Sequence, residues 1–144
     1  VCPVCRGDME EGPEKLFDEG LRRFFLLYNQ IGDAGQSWLA LSPVQQAEMN
    51  SIHALWQDAA KKGYVSAQYN LGLVFQQGIG VPQDKKEAVR WFSLAAEQGD
   101  NRAQFLLGVM LEDGQGVQKN DEEAVRWYRL AAEQGNARAQ FSLG

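Results

Sequence analysis

Apolar positions recur at helical spacing along the second half of the chain, and the pattern then repeats. Ala67, Leu71, Val74 and Phe75 share one helical face, and the run ends at Gly78 and Gly80, which interrupt a helix and admit positive φ. Asp84 stands three residues before Glu87, as Asn120 does before Glu123, a capping-box spacing that satisfies free N–H groups at a helix start. Ala88, Trp91, Phe92, Ala95 and Ala96 form the apolar face of the helix that follows, and Gly99 stands where a left-handed residue would end it. Residues 65–100 and 101–136 are identical at 18 of 36 positions, so the unit of organisation is a repeat. Each copy reads as a helical hairpin, helix A then helix B. A third copy opens at Ala139-Gln140-Phe141-Ser142-Leu143-Gly144.

Upstream the frame weakens. Ala59-Ala60-Lys61-Lys62-Gly63 stands 36 residues before Ala95-Ala96-Glu97-Gln98-Gly99 and marks the end of another helix B. Ser42 as N-cap, Pro43 at the first helical position and Gln45 at the box position start it, which predicts a helix over 43–62. Phe17, Leu21, Phe24, Tyr28 and Ile31 make a heptad-like stripe over 14–31, with Gly32 as the expected stop. Phe17 and Gly20 can be laid on Tyr69 and Gly72, which makes residues 10–63 either a divergent repeat with a longer loop or a capping hairpin. The remaining helices are expected near 66–77, 85–98, 102–113 and 121–134. Trp56, Trp91 and Trp127 recur on the apolar side of helix B and are read as core residues, and Trp38, with Leu39 and Leu41, as a staple holding the loop to the helices.

The two copies, from Ala67-Gln68-Tyr69 to Gln98-Gly99 and from Ala103-Gln104-Phe105 to Gln134-Gly135, resemble the Sel-one-like repeat, a longer-looped relative of the tetratricopeptide repeat. The resemblance covers residues 64–144, as two complete repeats and one truncated. It implies an all-α fold, antiparallel helix pairs stacked in a right-handed superhelix with a concave binding face. Some bacterial secreted members carry a disulfide in each repeat; here no Cys follows residue 5, so the repeats depend on packing.

Composition narrows the function. With 14 Lys+Arg against 19 Asp+Glu the net charge is −5, which disfavours nucleic acid, and no apolar run approaches the roughly 20 residues of a membrane span. One His and two Cys leave little for metal or nucleophilic chemistry, so an enzyme is not expected. His53 reads as a packing or surface histidine. Gly78-x-Gly80 and Gly114-x-Gly116 follow helices and lack the Lys-Ser/Thr of a phosphate loop, so they read as turns.

Cys2-Pro3-Val4-Cys5-Arg6 has the Cys-x-x-Cys spacing that points two thiolates at one zinc ion. It resembles the final ligand pair of a RING finger, which would put a largely absent zinc domain at residues 1–9; a vestigial knuckle and half of a zinc ribbon are the other readings. Two thiols do not close a tetrahedral site, so no cofactor is expected in this chain, with zinc reserved for a longer protein. A first residue of Val and a copy that stops short at Gly144 suggest a fragment, and the compartment stays open, with the cytoplasm slightly favoured.

The leading expectation is a scaffold that binds a protein or peptide on the concave face. By tetratricopeptide analogy, that face is lined by Tyr69, Asn70, Leu73, Gln76 and Gln77, then by Phe105, Leu106, Val109, Glu112 and Asp113. The two copies differ at every one of these pairs. The alternative is the substrate-recruiting part of a RING-type ubiquitin ligase. Self-association through an apolar end at Phe141 is a third option.

Overall fold

The computed structural model describes residues 12–143. The described residues form seven helices and no strand: α1 (Pro13–Asp33), α2 (Pro43–Lys61), α3 (Val65–Gln77), α4 (Lys85–Glu97), α5 (Asn101–Asp113), α6 (Asp121–Glu133) and α7 (Ala137–Ser142). They divide into two compact units, Val1–Ala67 and Gln68–Gly144.

Helix starts follow local side-chain chemistry. The Ser42 hydroxyl accepts from the Gln45 amide while the Gln45 side chain accepts from the Ser42 amide, a complete capping box. Asp84, Asp100, Asn120 and Asn136 accept from backbone N–H groups of α4, α5, α6 and α7. Helix ends are as regular. Gly63, Gly99 and Gly135 have φ of +88°, +95° and +89°, so the chain reverses there without a Cβ penalty. The amide after each glycine, on Tyr64, Asp100 and Asn136, donates back to Ala59, Ala95 and Ala131.

The first unit is the α1–α2 hairpin with the residues that follow it. Its core holds Leu16, Phe17, Leu27 and Ile31 against Met49, Ile52, Trp56, Ala59 and Ala60. Gly20 is the point of closest approach: a Cβ there would lie 2.5 Å from Nε1 of Trp56. Two expectations change. Gly32 does not stop α1, which runs on to Asp33; Gly35, at φ +62°, makes the reversal, with the Gln36 amide donating to Ile31. The buried line also shifts from the heptad stripe to Leu16, Phe17, Gly20, Leu27 and Ile31, leaving Leu21 and Tyr28 exposed, because the helix pair centres on Gly20 under the indole. Trp38 stacks on Phe24 with ring centroids 5.5 Å apart and planes 9° apart, which pins the loop, while Leu39 points to solvent.

In the second unit the same contact recurs. Gly72 faces Phe92 and Gly108 faces Tyr128, with Cβ clearances of 2.4 and 2.6 Å. Trp56 therefore corresponds to Phe92 and Tyr128 in the 36-residue frame, and not to Trp91 and Trp127: it lies on the side of its helix that touches the glycine. Trp91 is buried, but Trp127 is half-buried beside Glu123, Arg126 and Leu130.

Candidate functional site

Two buried glutamines tie together the two helices of each hairpin in the second unit. Gln68 Oε1 accepts from Gln98 Nε2 at 2.7 Å, and one repeat later Gln104 Oε1 accepts from Gln134 Nε2 at 2.8 Å. Gln104 and Gln140 also donate to the carbonyls of Ala96 and Ala132, which bonds α5 to α4 and α7 to α6. Buried amides persist in a core only with such partners. These bonds fix the rotation of α3 and α5, and with it the side chains those helices present.

None of the ten residues proposed for the concave face is buried. Tyr69, Asn70, Leu73, Gln76, Phe105, Leu106 and Val109 are half-buried; Gln77, Glu112 and Asp113 are exposed. Tyr69 and Phe105 lie against Phe92 and Tyr128 of their own hairpins, with centroids 6.0 and 5.7 Å apart, and turn their other sides outward. Over those rings sit guanidinium groups that periodicity alone did not single out: Arg102 is 4.2 Å from the Tyr69 centroid and Arg138 is 5.2 Å from that of Phe105. The signal was present, since Arg102 and Arg138 are 36 residues apart, like the rings beneath them. Asp100 anchors Arg102 at 2.8 Å.

Burial, then Asp100 to a smaller degree, raises the Tyr69 hydroxyl pKa, with Arg102 opposing. Tyr128 is raised further, by burial and by the hydrogen bond its hydroxyl donates to Glu112 at 2.6 Å. Glu112 is thus tied to the hairpin beneath it, although its side chain reaches the surface. Both phenols stay protonated at neutral pH. This surface offers aromatic faces, guanidinium groups, amides and two carboxylates, a set suited to holding a polypeptide.

Among the described residues no group of three or more His, Cys, Asp or Glu is placed to hold a metal ion, and no helix is long and apolar enough to cross a membrane. Cys2 and Cys5, with the RING resemblance they carry, lie outside the described residues. Phe141 is exposed on α7.

The Sel1 repeat model matches residues 65–100 and 101–136, the two copies whose glycine–aromatic contacts and glutamine bonds coincide. The chain belongs to the Sel1 repeat family. A Sel1 repeat protein of Oxalobacter formigenes is 32% identical, with a TM-score of 0.63 over 83% of this chain and 46% of that one. A protective antigen of uropathogenic Escherichia coli, described as displaying an SLR fold, is 33% identical with a TM-score of 0.66, over 92% of this chain and 28% of its own. Cysteine rich protein B of Helicobacter pylori shares the fold, at 21% identity and a TM-score of 0.60 over 68% of this chain and 80% of that one. DAP3-binding cell death enhancer 1 of Rattus norvegicus is 41% identical over 53 residues, which are 37% of this chain and 10% of that protein. The chain thus spans a small part of that curated relative and less than half of the first two structures. Sel1 repeat proteins are generally protein-interaction scaffolds and typically not enzymes.

Proposed function

We propose that this Sel1 repeat chain is an adaptor that holds a peptide or protein partner along the exposed side of α3 and α5, with Tyr69 and Phe105 as its main contacts. One observation carries the reading. The frame residues that set the helices repeat between the copies, while all ten side chains on the presented face differ and none is buried. A common scaffold with a varied face is what selective binding of one polypeptide requires. Aromatic and Arg side chains together are also the commonest anchors of protein interfaces.

Residues 10–63 are read as a divergent repeat with a longer loop or a capping hairpin. Superposing Gly20 on Gly72 and Gly108 puts Lys15, Glu19 and Arg22 where α3 and α5 bury Ala67, Leu71, Val74 and Ala103, Leu107, Met110. Glu19 and Arg22 pair with each other at 2.7 Å on that exposed face. A charged face in place of an apolar one suits a terminal unit. Cys2 and Cys5 would serve zinc only beside ligands from elsewhere. The ubiquitin-ligase reading draws no support from the family match or from the relatives above.

The test is mapping by substitution. Once a partner is in hand, Tyr69→Ala, Leu73→Asp and Phe105→Ala weaken its binding and leave the circular dichroism spectrum unchanged. Arg90→Ala and Arg126→Ala, on helices B, serve as controls. Binding that follows the controls and ignores Tyr69 and Phe105 overturns the assignment.

A further inference from the structure

The two repeats place the same arginine over the same ring but treat its charge differently. Arg102 sits 4.2 Å from the Tyr69 centroid, and Arg138, 36 residues on, sits 5.2 Å from that of Phe105. Asp100 neutralises the first: its carboxylate caps α5 and accepts from Arg102 Nε at 3.2 Å and Nη2 at 2.8 Å. At the matching place before Arg138 stands Asn136, which caps α7 but carries no charge. Its amide is engaged with Asn101, donating to the carbonyl at 3.4 Å and to Oδ1 at 3.0 Å.

Among the described residues no carboxylate pairs with Arg138, although the cation rests on a firm support. Phe105 packs on Tyr128, and Gln104 bonds α5 to its neighbours. A ring face attracts a guanidinium without taking its N–H donors, so the planar fork that matches a carboxylate stays available. Arg138 also acts on the next ring along. Burial raises the Tyr69 hydroxyl pKa and the charges of Arg102 and Arg138 both oppose it, so two guanidinium groups and a phenol share one patch. Asp100 offsets one of those cations, which leaves Arg138 as the net positive charge there. Glu112, ten residues beyond Arg102 and so about 15 Å along α5, repels a carboxylate at the other end of the face.

We infer that the partner segment held on α3 and α5 carries an acidic side chain, Asp or Glu, that seats against Arg138 above Phe105. The inference rests on the docking role proposed for that face and adds the chemistry of what docks. With a net charge of −5 the rest of the chain is a poor host for acidic segments, so one local cation sets the register of the carboxylate.

The probe is an array of random peptides of about ten residues, capped at both ends, each printed with Glu, Gln, Lys or phosphoserine at one central position. The full chain should retain Glu forms over Gln and Lys forms of the same peptide, and Tyr69→Ala should lose them. In solution titrations of retained sequences, Arg138→Gln is expected to weaken the Glu form about three- to fivefold, the range for an exposed ion pair, and the Gln form by less. Asn136→Asp keeps a helix cap but supplies the carboxylate that Arg102 already has, and is expected to erase the Glu preference with the circular dichroism spectrum unchanged. Arg126→Gln on α6 changes neither form. Raising salt from about 0.05 to 0.5 M narrows the gap between Glu and Gln forms. Equal retention of Glu and Gln forms, a gap that survives in Arg138→Gln or Asn136→Asp, selection of the phosphoserine form alone, or no retained peptide overturns the inference. If peptides are retained without regard to charge but lost in Tyr69→Ala, the docking face stands and the acidic seat falls. Peptides retained equally by Tyr69→Ala overturn both.

Discussion

Gly108 packs so closely on Tyr128 that a Cβ at position 108 would lie 2.6 Å from the ring's Cε1. Alanine has the higher helix propensity, worth about 1 kcal/mol in an open helix. Here the ring must move, and overpacking of this kind costs about 1–3 kcal/mol. Gly108→Ala is therefore expected to destabilise the chain in denaturant melts. Tyr128→Leu, which shortens the side chain facing the glycine, should reduce the penalty in a double-mutant cycle. A more stable Gly108→Ala chain would mean that the contact is slack.

Trp91 and Trp127 occupy the same place in the repeat and are expected to respond differently. Trp91 is 3% exposed, and its truncation to Ala should cost about 3–5 kcal/mol. Trp127 keeps part of its surface in water, so Trp127→Ala should cost less than half as much. Equal losses in melts of the two variants would place Trp127 in the core after all.

How far these features were legible depends on the range of the chemistry involved. Caps at Ser42, Asp84 and Asn120 act on amides three residues away, and helix boundaries came out within two residues. Trp91 and Phe92 are adjacent and both buried, so periodicity alone accepts either as the counterpart of Trp56. The spacing of Ala59-Ala60 from Ala95-Ala96 already favoured Phe92. Arg102 over Tyr69 joins residues 33 positions apart, which no local pattern reveals.

Gln104 supplies a buried amide that joins two groups, the Ala96 carbonyl and the Gln134 side-chain amide. Gln104→Leu keeps volume but leaves the Ala96 carbonyl and the Gln134 amide without this partner. The Ala96 carbonyl keeps the Gln98 and Gly99 amides and Gln134 keeps the Leu130 carbonyl, so the expected loss is about 0.5–1.5 kcal/mol. Hydrogen exchange should quicken at the α4–α5 junction in the same variant. Unchanged stability and exchange would reduce the bond to an incidental one.

The two thiols at Cys2 and Cys5 supply half of a tetrahedral zinc site. Purified monomer is expected to hold no stoichiometric zinc after dialysis, as read by elemental analysis. One tightly held ion per monomer, lost in Cys5→Ser, would require further ligands within this chain.

His53 gives the fold a pH dependence near neutrality. Burial lowers its pKa below the ordinary 6.5, so the folded chain holds the ring neutral where the unfolded chain would protonate it. Below that value the unfolded state binds more protons, and stability falls as pH drops through 6.5 and on towards the folded pKa. Glu19 and Glu48 act in a lower window: hydrogen bonds from Arg22 and Arg23 hold their pKa values below 4.5, so any contribution they make is lost only under more acidic conditions. Urea melts between pH 7.5 and 5 should therefore show a decline that His53→Gln flattens, while Glu48→Gln leaves its slope in place. A decline that persists unchanged in His53→Gln would assign it to another group.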